Sequence, residues 1–223
     1  SEFTEVPAGI GGGWDGFRGT PRLVRSFQYQ DNESPKADEI LDKRGIFFDK
    51  NRSIDITTSV TGTFTTEGWA VYKYTNLQSN GEPGKNTTFP DTDFPMFRLG
   101  DVYLMYAEAV ARGGEGGNLA TAVNYINALR ERAYGDTYHN ITESWLLENN
   151  LQNILDERCR ELYWEGVRRT DLIRFGLYTS PNYLWTFKGG VLNGVGVDSR
   201  YNVFPIPTTD MSVNGNLKQN EGY

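Results

Sequence analysis

Residues 157–175 read ERCRELYWEGVRRTDLIRF, and the interleaving of acids, bases and aromatics in this stretch decides the fold. Glu157, Glu161 and Glu165 recur every four residues and share one helical face. Arg160, Arg168, Arg169 and Arg174 lie within three or four residues of an acid. Leu151, Ile154, Leu155 and Leu162 form an apolar stripe opposite the acids, with the rhythm of a core-facing helix. Gly166 is expected to close this helix in a left-handed turn, and Val167, Leu172 and Ile173 to open a shorter one. Tyr163, Trp164 and Phe175 crowd the same segment. Guanidinium groups buried among aromatics need carboxylates facing them, so Glu157, Glu161, Glu165, Arg168, Asp171 and Arg174 are read as a partly buried structural ion-pair network. A catalytic role is not assigned to it, because such networks perturb titration without performing chemistry.

Working outward, a helix is expected from Arg98, with Leu99, Val102, Tyr103, Tyr106 and Val110 on its apolar face. Residues 113–117 turn the chain, and Asn118 caps a partner helix that buries Leu119, Ala122, Val123, Ile126 and Leu129. The hairpin has the roughly 34-residue scale of a tetratricopeptide unit, and residues 144–176 offer a second pair to stack on it. Upstream, SPKADEILDKRG (34–45) reads as a helical turn or two starting at Ser34 and Pro35, and IFF (46–48) as a strand. Alternation over 53–74 predicts a small antiparallel hairpin turning at Gly62, with Trp69 on one face and Tyr72 and Tyr74 on the other. FPIPTTDM (204–211) is expected to run extended over the helices.

Three blocks carry a family resemblance: ILDERCRELYWEGVRRTDLIRFG (154–176), FPMFRLGDVYLMYAEAVARGG (94–114) with AVNYINALRERA (122–133), and FPIPTTDMSVNGNLKQNEGY (204–223). They resemble, in order, the C-terminal blocks of SusD/RagB outer-membrane nutrient-binding lipoproteins. GGGWDGFRGTPRLVRSF (11–27) and DKRGIFF (42–48) match more weakly. The expected fold is therefore mainly α: TPR-like helical hairpins with long irregular loops and a small β-hairpin. Its expected organisation is a loop-rich ligand-side segment over 1–95, a helical scaffold over 96–178, and an irregular tail over 179–223 that packs on the scaffold. The resemblance also implies an absent N-terminal half that carries the lipid anchor. The implied function is noncatalytic capture of a glycan at the cell surface for a SusC-like TonB-dependent transporter of a Bacteroidetes-type outer membrane. Peptide capture, as in RagB, is the alternative within the family, and glycoside hydrolysis lies outside it.

Composition bounds these readings. A net charge of −7 and a pI near 4.9 argue against nucleic acid, which needs a basic face. Cys159 is the only cysteine, expected as a small buried filler, so no intrachain disulfide forms. His139 is the only histidine, which excludes a multi-histidine zinc site and leaves a Ser-His-Asp triad one candidate residue in a polar connector. Asp91 and Asp93 lack the number and spacing of a calcium loop, so no cofactor is assigned, a structural calcium being the one metal left open.

The candidate ligand contacts are aromatic. Gly11, Gly13 and Gly16 match G-x-G-x-x-G literally, but no apolar strand precedes them and Pro21 interrupts the segment after them, so a nucleotide site is rejected. These glycines carry Trp14, Asp15, Phe17 and Arg18. A ring can stack on a pyranose face while the carboxylate and guanidinium bond hydroxyls, although Trp14 tucked into the core explains the sequence equally well. Trp69, Tyr72 and Trp185 complete the ligand-binding candidates.

Overall fold

A computed structural model describes residues 8–11, 17–58, 63 and 65–223. Two compact units emerge, Ser1–Arg168 and Arg169–Tyr223. The first is built on helices α2 (Leu99–Ala111), α3 (Leu119–Tyr134), α4 (Glu143–Leu147) and α5 (Gln152–Leu162), preceded by a short α1 (Pro21–Val24) and a two-stranded antiparallel sheet. Asn118 Oδ1 accepts the Thr121 amide at 2.8 Å and starts α3 as expected. Gly135, at φ 84°, ends it.

The helices close on Leu104, Ala107, Ala122, Ile126, Leu129, Leu146, Ile154 and Leu162. Each fully buried Leu or Ile here contributes about 2 kcal/mol of hydrophobic stabilisation. Tyr103 of α2 and Tyr125 of α3 stack in parallel, centroids 4.2 Å apart. The buried side of α2 is Gly100, Leu104, Ala107 and Glu108. The expected stripe is therefore rotated: Leu99 and Val102 face outward, exposed 61% and 47%, while Tyr103, Tyr106 and Val110 flank the core. On a helix with apolar residues around most of its circumference, spacing alone does not choose the inward side.

A second cluster joins Val24, Phe27, Tyr29, Phe47, Trp69, Val71 and Tyr163. Tyr163 directly follows α5, and its hydroxyl donates to the Arg44 carbonyl at 2.6 Å and accepts from the Ile46 amide at 3.1 Å. The sheet pairs β1 (Phe47–Phe48) with β2 (Ala70–Val71), Phe47 opposite Val71. The strand at 46–48 is thus present. The hairpin predicted within 53–74 is replaced by this longer-range pairing, and its turn residue Gly62 lies outside the described residues. Between Ser34 and Gly45 only a 3-10 turn, Ala37–Glu39, forms; it has no side-chain cap, and Ser34 does not start it.

α5 ends at Leu162, four residues before Gly166. Tyr163 is extended, Trp164 turns left-handed at φ 62°, and Gly166 turns left-handed at φ 77°. Cys159 is half-buried rather than fully buried. Helix α6 (Arg168–Arg174) follows. Within the second unit, Pro207 leads into α7 (Thr208–Val213), so the expected extended run holds only at the prolines; the residues beyond them have free amides and take the helix.

Candidate functional site

Glu157, Glu161 and Glu165 stand in a buried ion network whose cations come mostly from outside their own segment. Glu157 is fully buried and meets Arg44 and Arg130 at 2.7 Å and Arg160 at 2.6 Å. Glu161 accepts from Arg132 at 2.7 Å and Arg44 at 3.1 Å, and also bonds Arg98. Glu165 pairs with Arg98 at 2.7 Å and with Lys73. Asp42, fully buried, completes the set through Arg44 at 2.6 Å.

Burial alone would raise the Glu157 carboxyl, but the guanidinium groups of Arg160, Arg44 and Arg130 overwhelm it and hold the group well below the usual carboxylate range. Glu161 behaves alike: burial opposes ionisation, yet hydrogen bonds from Arg132 and Arg98 and the charge of Arg44 bring it down to about 2. Lys73 is drawn down by burial, against the opposing pull of its bond with Glu165. Gly100 makes the room at the start of α2; a Cβ there would lie 2.5 Å from Arg98 Nη1 and 2.8 Å from Glu161 Oε1.

Of the other predicted members, Arg168 donates to the Leu155 carbonyl at 2.9 Å, and Asp171 pairs with Arg174 at 2.7 Å within α6. The partners supplied by Arg44, Lys73, Arg98, Arg130 and Arg132 were beyond helical-spacing reasoning. Arg44 and Glu157, for example, are 113 residues apart.

The network fixes the backbone on one side of an exposed aromatic pair. Tyr163 is buried in the second cluster and Glu165 in the ion network, so the residue between them is thrown outward. That residue is Trp164, 42% exposed, in a left-handed conformation that is a genuine outlier for a bulky side chain. Phe17, 79% exposed, meets it edge to face with centroids 6.2 Å apart and planes at 78°. Two ring surfaces at right angles form a corner able to receive an apolar ring face. Sequence reasoning placed Trp164 among the aromatics that crowd the ion-pair segment and missed this role; its setting between Tyr163 and Glu165 was the available signal.

The remaining candidates fare differently. Trp14 and Asp15 lie outside the described residues. Arg18 is tied to the loop opposite, donating to the Glu67 carbonyl at 3.0 Å and to Thr63, which commits its guanidinium to structure. Trp69 is corrected to a core residue: only 2% exposed, it packs edge-on against Tyr29. Tyr72 is half-buried against Ala8 and Ala70. Trp185 belongs to the second unit, near Tyr178 and beneath the Lys188 ammonium.

His139 stacks on Tyr134 at 3.8 Å and shares a 3.0 Å hydrogen bond with Asp136 in the same turn. Among the described residues no group of three or more His, Cys, Asp or Glu is placed to hold a metal, and no helix is long and apolar enough to cross a membrane.

Residues 52–223 match the model of the SusD family. The starch-binding protein SusD of Bacteroides thetaiotaomicron is 45% identical over 159 residues, which cover 71% of this chain and 26% of that protein. A SusD-like protein of Formosa agariphila is 33% identical over 132 residues, 57% of this chain and 24% of its own. The chain thus spans about a quarter of the length of these curated relatives. A solved SusD-like protein from Bacteroides fragilis shares the fold with a TM-score of 0.63 at 21% identity, over 95% of this chain and 48% of its own. A SusD superfamily protein from the same species does so at 0.52 and 21%, over 93% and 48%.

Proposed function

The chain belongs to the SusD family, and from that premise we propose that it captures an oligo- or polysaccharide without catalysis and delivers it to a SusC-like TonB-dependent transporter. In this reading the protein works at the outer-membrane surface, held by a lipid anchor borne on a segment other than this one. An N-terminal half of the same protein is its further partner. The outward apolar residues Met96, Phe97, Leu99, Val102 and Met105 would be the surface that half covers.

The observation that carries the reading is Trp164, held outward and left-handed against Phe17. A side chain with a Cβ costs about 1–2 kcal/mol in that conformation, and strain of this kind collects where a side chain must be presented. Ring-face stacking suits sugars, each contact being modest and affinity accumulating over several units. The name of the Bacteroides thetaiotaomicron relative, a starch-binding protein, points to the same ligand class.

The test is affinity electrophoresis and calorimetric titration with a polysaccharide panel, on the wild type and on Trp164→Ala and Phe17→Ala. Both variants are expected to lose about tenfold or more in affinity, the scale of one lost stacking contact, with unchanged melting. Retained binding in both would overturn the platform. Binding of peptides in place of glycans would move the reading to the RagB-like alternative, and release of reducing ends would replace capture with hydrolysis.

A further inference from the structure

On the other side of the Glu157 cluster, a cavity of about 430 Å³ opens between the segment 25–35 and helices α3, α4 and α5. Nothing in the Phe17–Trp164 reading uses it. Its apolar lining includes Phe27, Pro35, Tyr134 and Trp145, with the Arg130 guanidinium 5.7 Å from the Trp145 ring centre.

The polar lining is unbalanced toward donors. Arg25 is exposed at the rim and has no side-chain hydrogen bond or ion pair among the described residues. Asn32 spends its carbonyl oxygen on the Tyr29 amide at 2.9 Å, which leaves its NH₂ group to the cavity. The Gln28 oxygen takes the Tyr134 hydroxyl at 3.5 Å, leaving its NH₂ group likewise. Against these donors the lining offers one carboxylate, Asp156, an oxygen of which already accepts from Gln152.

Behind the wall Arg44, Arg130 and Arg160 are met by Glu157 and Asp42, with Glu161 also on Arg44, so the charge left to the cavity is that of Arg25 at its rim. A cavity whose uncommitted polar groups are donors, one of them the Arg25 guanidinium, selects an acceptor-rich, anionic occupant. A neutral sugar can satisfy Asn32 and Gln28 through its hydroxyl oxygens, but it offers Arg25 no opposite charge.

We propose that this cavity is a binding site for one carboxylated sugar unit, a uronic acid, separate from the Phe17–Trp164 corner. The carboxylate faces Arg25, hydroxyls accept from Asn32 and Gln28, and the carbon face of the ring lies on Trp145. Because guanidinium bonds to carboxylate are charge-assisted, Arg25 carries most of the discrimination.

Saturation-transfer NMR and titration of the full chain with D-glucuronic acid and with D-glucose test the site. Saturable glucuronate binding is expected, with glucose weaker by about tenfold or more, the worth of one charge-assisted bond. Arg25→Glu should weaken glucuronate by at least about the same factor at an unchanged melting temperature, since Arg25 is exposed and outside the ion network. Asn32→Ala should weaken it less, and Trp164→Ala not at all. Equal affinity for glucose, absence of saturable glucuronate binding, or full binding by Arg25→Glu would overturn the proposal. The Trp164→Ala polysaccharide result stands apart from each of these outcomes, so the two sites can fail separately.

Discussion

Trp164 is the residue at which stability and presentation conflict. At φ 62° it occupies a backbone region that glycine enters freely. Trp164→Gly is therefore expected to hold or raise stability, by up to about 1 kcal/mol, while weakening glycan binding by the same factor of about ten or more as Trp164→Ala; denaturant midpoints beside binding titrations read both effects. A fall of several kcal/mol would mean that the ring is a packing residue. The sequence showed that an aromatic stands between Tyr163 and Glu165, but φ is not written in composition, and exposure depends on anchors formed far away. The same limit explains the ion network. The Arg160–Glu157 pair, three residues apart, was legible from helical spacing. Arg44, Arg98, Arg130 and Arg132 were not, because tertiary folding alone brings them to the acids. Trp69, expected on a hairpin face, lies just before β2, and the residues that cover it, Tyr29 and Phe47, are far from it in sequence.

At the scale of elements, the α2–α3 hairpin was readable because caps and turns are local. Asn118 and the glycines at 113–117 mark its turn wherever the hairpin sits. The rotation of α2 and the partner of β2 were not readable, since both are set by what packs against them. The passage from α5 to α6 lies between these cases: a stop near Gly166 was correct in kind and late by four residues. Gly166 keeps a structural duty, for at φ 77° a side chain would be strained even though a Cβ would find open space. Gly166→Ala is expected to cost about 1–2 kcal/mol, read as a lower denaturant midpoint at constant slope. A neutral outcome would mean that the turn relaxes at no cost.

Over the whole molecule, acid should act through the buried carboxylates. Glu161 titrates at about 2 in the folded chain against an ordinary value of 4.5. Its stabilisation is complete above the ordinary value and is lost as pH falls from about 5 toward 2, because the unfolded chain takes up the proton first. The linkage for this group alone is about 3 kcal/mol, and Glu157 and Glu165 are depressed in the same direction. Melting temperatures should therefore drop steeply across that window, and Glu161→Gln should flatten the drop while lowering the plateau at neutral pH. A wild-type profile that stays flat down to pH 3 would contradict the burial of the network.

Tyr163 draws a last consequence from its position. One ring closes the aromatic cluster of the loop-rich segment while its backbone finishes a helix of the scaffold, and its phenol clasps both neighbours of Gly45. Neither side can open alone without extracting that ring, so the loops and the helices of the first unit are yoked into one cooperative transition.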